Sequence, residues 1–110
     1  MTIQEVSIEN FVQLRAEKIV IDVREVDEYQ GGHIPGAINI PLSTVPDNVD
    51  LFAQHSSVFV VCQVGGRSMR ACEFIAVQDE CVDIELFNIA GGTAAWVVNG
   101  HEVVTGDQPN

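Results

Sequence analysis

A chain of 110 residues, 46% of them hydrophobic, holds one ordinary domain with a single core and is not a disordered segment. Its 16 acidic residues against five basic ones give a formal charge of −11, which disfavours nucleic acid and anionic membrane surfaces as partners. No apolar stretch reaches transmembrane length.

The N-terminus, Met1-Thr2-Ile3-Gln4-Glu5, has no basic region and no hydrophobic signal core, so a cytoplasmic location is expected. Ser7 is placed to cap a helix from Ile8 to Ala16. Lys18 to Val23 is a β-branched run that reads as a buried strand. Val26 to Gln30 reads as a short helix ended by Gly31-Gly32. Ala37 to Ile40 reads as a second strand closed by Pro41, followed by one helical turn at Leu42 to Val45 and a short helix at Val49 to Gln54. Val58 to Val61 is a continuous apolar run, as in a strand buried on both faces. Met69 to Gln78 reads as a helix. Val82, Ile84 and Leu86 alternate with Asp83 and Glu85, which predicts a strand with one wet face. Thr93 to Asn99 is the last helix, stopped by Gly100, and residues 105–110 form a loose acidic tail. Strands alternating with helices predict an α/β domain with a mostly parallel central sheet flanked by helices, spanning residues 1–110 as one unit.

The junction after the central strand carries the chemistry. Cys62 sits where Val58–Val61 ends and Gln63-Val64-Gly65-Gly66-Arg67-Ser68 curls toward a helix start. Backbone N–H groups and the positive helix end then face the sulfur and favour thiolate, the nucleophilic form. A buried structural thiol is the plainer reading, but an apolar strand running into a Gly-Gly-Arg loop argues for a reactive one. Ligands of parallel sheets bind beyond the carboxyl ends of strands, where Cys62 lies. Cys62, Cys72 and Cys81 have no His at zinc-ligand spacing, so no metal is expected.

Cys62-x-x-Gly65-x-Arg67-Ser68 resembles the active-site loop of the rhodanese family of sulfurtransferases. Tyrosine phosphatases also cradle an anion between Cys and Arg, but their loop holds one residue more. The tighter ring here suits a sulfur species better than a tetrahedral phosphate. Upstream, Asp22-Val23-Arg24, Glu28-Tyr29 and Gly32-His33-Ile34-Pro35-Gly36-Ala37 resemble the family's N-terminal signature. Gly91-Gly92-Thr93-Ala94-Ala95-Trp96 with Gly100 resembles its C-terminal one. Together the three cover about residues 19–104.

The resemblance implies that Cys62 takes a sulfane sulfur as a persulfide and passes it on, without metal or organic cofactor. Small sulfur-containing donors such as thiosulfate or a persulfide, and thiol or cyanide acceptors, would be its partners, with a protein sulfur acceptor also open. Arg67 reads either as the group that recognises an anionic donor or as one end of a salt bridge, for instance to Glu73. Ser68 reads as a helix cap that could also donate to the sulfur. Gln63 and Val64, at the loop tip, would set donor preference, and neither is charged. Gly65 matches the family's loop glycine; Gly66 has no assigned role beyond relaxing the loop. Asp22 is expected to accept backbone or Arg hydrogen bonds, and Arg24 stands at i,i+4 spacing from Glu28. His33 is read as a loop hydrogen-bonding residue in preference to a general base. Cys72 is expected in the core, Cys81 inert, and Trp96 an anchor of packing. A sulfur carrier or regulatory binding module is the alternative to an enzyme, with the acidic surface as a docking face. A phosphatase or arsenate reductase is a third class, disfavoured by the short loop.

Overall fold

The apolar run expected at the centre of the sheet does stand near its middle. In the computed structural model, which describes residues 2–110, Ser57–Val61 forms a strand buried along its whole length. In chain order the elements are β1 (Thr2–Val6), α1 (Ile8–Leu14), β2 (Ile19–Asp22), α2 (Val26–Gln30), β3 (Ile38–Asn39), a 3₁₀ segment (Leu42–Asn48), α3 (Val49–Ala53), β4 (Ser57–Val61), α4 (Gly66–Ala76), a 3₁₀ turn (Asp79–Cys81), β5 (Glu85–Ile89) and α5 (Gly92–Val98). The five strands pair in the order β1-β5-β4-β2-β3, all parallel.

Period-2 alternation divides the core between the two faces of this sheet. Ile21, Val58, Val60 and Leu86 face one way and pack with Phe52, Cys72 and Ile75. Val20, Phe59, Val61, Phe87 and Ile89 face the other way, toward Phe11, Tyr29 and Trp96. Phe11 meets Phe59 and Trp96 edge-on, with ring centroids 5.1 and 6.0 Å apart. Cys72 and Cys81 are both buried and free, Cys72 in the core as expected.

Several boundaries differ from the sequence expectations. Ser7 caps α1 by accepting from Asn10 N, but the helix closes at Leu14, with Arg15 as its C-cap. Glu17 follows at φ 63°, a left-handed conformation that ends the helix. The first strand, Thr2–Val6, was not expected; its short Thr-Ile-Gln-Glu-Val stretch has too little apolar patterning to announce itself. It pairs with β5, the strand whose bounds differ most from expectation. β5 runs Glu85–Ile89, not Val82 to Leu86, and its residues from Leu86 to Ile89 are buried because both faces of the sheet are covered there: Leu86 packs with Cys72 and Ile75, Phe87 and Ile89 with Phe11 and Trp96. Val82 and Asp83, read as part of a wet-faced strand, form a turn. The tail expected to lie loose folds back: Pro109 O accepts from Gly36 N at 2.9 Å, and Gly106 N donates to Gln30 O at 2.8 Å.

Candidate active site

Cys62 leaves the carboxyl end of β4, and α4 begins four residues later at Gly66. Gly65 makes that short connection possible. Its φ of 116° turns the chain where a side chain would be strained, and it serves as N-cap of α4. Ser68, expected as the cap, lies inside the helix instead, and its hydroxyl faces the loop. Gly65 N donates to Cys62 Sγ at 3.1 Å, and Ser68 Oγ lies 3.3 Å from the same sulfur. Burial alone would push the Cys62 thiol up. The Ser68 hydroxyl and the backbone N–H groups of Ser68, Gly65 and Val64 outweigh it, so the thiol ionises below its ordinary value. Cys62 keeps only 1% of its surface, so it lies almost wholly beneath the loop.

The loop is bolted to its neighbours from three sides. From α5, Thr93 N donates to Cys62 O at 2.9 Å and Ala94 N to Gln63 O at 3.0 Å. Thr93 Oγ1 also reaches Cys62 O, at 3.2 Å. Gly92 permits this approach: a Cβ there would stand 2.4 Å from Cys62 O and 2.6 Å from Gln63 O. From β5, Asn88 Nδ2 donates to Gly65 O at 3.2 Å and to Glu5 Oε2 at 3.1 Å, while its Oδ1 accepts from Ser68 Oγ. From α2, Glu28 takes both terminal nitrogens of Arg67 at 2.7 and 3.0 Å.

Glu28, not Glu73, is therefore the partner of Arg67. Arg67 holds the Glu28 carboxyl down to about 2, and the Arg67 guanidinium is raised in turn. Glu28 is also unavailable to Arg24, which lies before α2 and outside the helical i,i+4 geometry considered for the two. Arg24 instead clasps Asp22: Nε meets both carboxylate oxygens at 3.1 Å, and Nη2 meets Oδ2 at 2.9 Å. The remaining donors go to Gln63 Oε1 at 3.2 Å and Gly32 O at 2.8 Å. The pair is buried, Asp22 completely. His33 is not near the sulfur chemistry. Its ring stacks on Tyr29 with centroids 3.6 Å apart, and its nitrogens meet Tyr29 O at 2.9 Å and Pro109 O at 3.2 Å.

Val64 stands at the loop tip, 68% exposed. Beside the loop, Gln63, Arg24, Asp27, Glu28, Ala94, Val97 and Val103 line much of a cleft of about 590 Å³. Among the described residues no group of three or more His, Cys, Asp or Glu side chains could hold a metal ion, and no helix is long and apolar enough to cross a membrane.

Residues 8–99 match the rhodanese-like domain. The chain belongs to that family. It is 39% identical over 77 residues to the Bacillus subtilis (strain 168) protein YqhL, spanning 70% of this chain but only 59% of YqhL. It is 35% identical over 98 residues to thiosulfate sulfurtransferase 16, chloroplastic, of Arabidopsis thaliana, covering 73% of this chain and 74% of the relative. The crystal structure of a rhodanese-related protein from Thermoplasma volcanium superposes with a TM-score of 0.82 at 26% identity, over 94% of this chain and 99% of that one.

Sequence reasoning brought Cys62 and its loop together but missed three supports. Glu28 was visible in a signature and paired with the wrong arginine. Gly92 and Thr93 were visible as a signature without a contact. Asn88, inside an apolar strand, gave one signal: a polar residue where burial would demand a partner.

Proposed function

We propose that this rhodanese-like domain is a sulfurtransferase that carries sulfane sulfur as a Cys62 persulfide. The observation that carries the reading is the Cys62 loop, where N–H donors converge on a sulfur at a strand's carboxyl end. Cys62 thiolate attacks the outer sulfur of a donor; a new S–S bond forms, and the old one breaks with its electron pair on the leaving group. A second nucleophile, a thiol or cyanide, then attacks the sulfane sulfur and returns Cys62 as thiolate. Neither displacement changes net oxidation state, so the chemistry calls for no metal or cofactor. Gln63 to Ser68 supply the cradle, while Asp22, Arg24 and His33 hold the surrounding frame. A reducing, cytoplasmic setting suits a sulfur that must stay free.

Intact mass after incubation with a sulfane donor tests this. One labile sulfur mapping to Cys62, and absent from a folded Cys62→Ser, is expected. Loading or transfer that survives in Cys62→Ser overturns the reading.

A further inference from the structure

Arg67 is the only cation in the loop, and it is already neutralised. Both of its terminal nitrogens lie on the Glu28 carboxylate. That carboxylate is itself held in place, because Glu28 Oε1 also accepts from Glu25 N at 3.1 Å and closes a capping box at the start of α2. Arg24, the cation that lines the cleft, spends its donors on Asp22, Gly32 O and Gln63. Arg15, Lys18 and Arg70, the remaining basic residues, do not line the cleft. Two cations are thus matched by Asp22 and Glu28, and Asp27 adds an unmatched negative charge on the rim. Asp27 is exposed. Across from it, Ala94, Val97 and Val103 form an apolar wall, with Val97 53% exposed.

We propose that the cleft between α2 and α5 seats the organic body of a low-molecular-weight persulfide that is neutral or cationic, and that Glu28 and Asp27 are its specificity-determining residues. The inference rests on the sulfur-transfer reading above and names its donor class. Charge balance shows what is selected. With a persulfide, Cys62–S⁻ plus R–S–SH gives Cys62–S–SH plus R–S⁻: the outer sulfur moves with its proton, and the electron pair of the broken bond stays on R–S⁻. Only one negative charge is in play. With thiosulfate, Cys62–S⁻ plus S–SO₃²⁻ gives Cys62–S–S⁻ plus SO₃²⁻, and a dianion must approach a thiolate beside an acidic rim. Gln63, next to Cys62 in the loop, and Thr93, hydrogen-bonded to Cys62 O, line the cleft, so a slim terminal –S–SH reaches toward the buried sulfur while an apolar or ammonium-bearing R group has the wall and Asp27 to meet.

The test compares three donors in steady-state turnover with one thiol acceptor: the persulfide of cysteamine, the persulfide of 3-mercaptopropionate, and thiosulfate. The unaltered protein should favour the cysteamine persulfide over the mercaptopropionate one by about ten-fold in kcat/KM. Asp27→Lys should erase most of that ratio. Glu28→Gln, which leaves Arg67 unneutralised, should raise thiosulfate turnover relative to cysteamine persulfide by about ten-fold. A ratio near one in the unaltered protein, or ratios that neither substitution moves, overturns the proposal while sulfur transfer itself stands. If none of the three donors loads Cys62, both readings fall together.

Discussion

Replacing Gly92 by alanine tests how the loop is held. The added Cβ would sit 2.4 Å from Cys62 O, 2.6 Å from Gln63 O and 2.7 Å from the Gln63 carbonyl carbon. These are backbone atoms, so no side chain can swing away. Either α5 retreats and loosens the Thr93 and Ala94 hydrogen bonds, or the Cys62–Gln63 backbone is pushed toward the sulfur. Overpacking of this kind costs about 1–3 kcal/mol. Gly92 also has φ 61°, where a side chain adds about 1 kcal/mol. A total near 3 kcal/mol corresponds to a Tm lowered by roughly 12 °C for a domain of this size. Gly100→Ala is the control, because Gly100 has φ 88° with nothing within 4 Å of its added Cβ. It should lose only the conformational part, roughly 4 °C. Thermal unfolding followed by circular dichroism reads the difference, and thiolate absorbance of the folded protein reads the Cys62 pKa. Gly92→Ala should raise that pKa, since a displaced loop no longer presents its N–H groups squarely. Equal Tm losses for the two variants, with an unmoved thiol titration, would refute the close-approach argument.

Asp22→Asn should cost about 3–5 kcal/mol, because it leaves the Arg24 guanidinium charged and buried; adding Arg24→Met should recover part of the loss in a double-mutant cycle read by urea unfolding. Arg67 depresses the Glu28 pKa to about 2, so the unfolded chain binds the extra proton below about pH 4.5 and stability should fall with acid through the window down to about pH 2. Both side chains are 34% exposed, which limits the effect to under about 1 kcal/mol, and Glu28→Gln should flatten that limb of the acid titration. Burial raises Cys72 to about 12, so it keeps its proton when folded and loses it near pH ~8.5 when unfolded. Stability should therefore drop above that pH by up to about 1.4 kcal/mol per unit, and Cys72→Ala, though less stable overall, should show a shallower alkaline slope in denaturant titrations.

What could be read from the chain follows the range of the forces involved. β4 and Cys62 were legible because the apolar run Val58–Val61 and an adjacent glycine turn are local signals. β1 was not, because its pairing with β5 is set by contacts more than eighty residues away, Thr2 against Glu85 onward. Asp83 and Glu85, the residues that looked wet, are exposed, but the strand runs on to Ile89, where helices packed on both faces of the sheet bury it. The helix expected from Met69 begins at Gly66, a poor helix former, because Gly65 caps it and the chain turns helical at once. At the site, residue types were legible and partners were not. Arg67 was expected against Glu73 on its own helix, and only the packing of α2 against the loop brings it Glu28 instead.

That choice bears on how a thiolate is held in so acidic a protein. Arg67 is engaged by Glu28, so much of its charge is cancelled before it reaches the sulfur. Ser68 has one hydroxyl proton and three acceptors within reach: Asn88 Oδ1, Gly65 O at 3.2 Å and Cys62 Sγ at 3.3 Å. Asn88 cannot turn to donate instead, because its amide nitrogen already serves Glu5 and Gly65 O, and a flip would set its oxygen against both acceptors. The Ser68 proton reaches the sulfur only by leaving Asn88. Backbone N–H groups carry no such competition: Gly65 N points at Cys62 Sγ at 3.1 Å whatever the protonation state. They also bring no net charge to be neutralised by sixteen acidic residues. The sulfur is thus stabilised by neutral donors that the protein's own acidity leaves untouched, the Ser68 hydroxyl when it turns from Asn88 and the backbone N–H groups throughout, and what enters the cleft is sorted by the carboxylates around it.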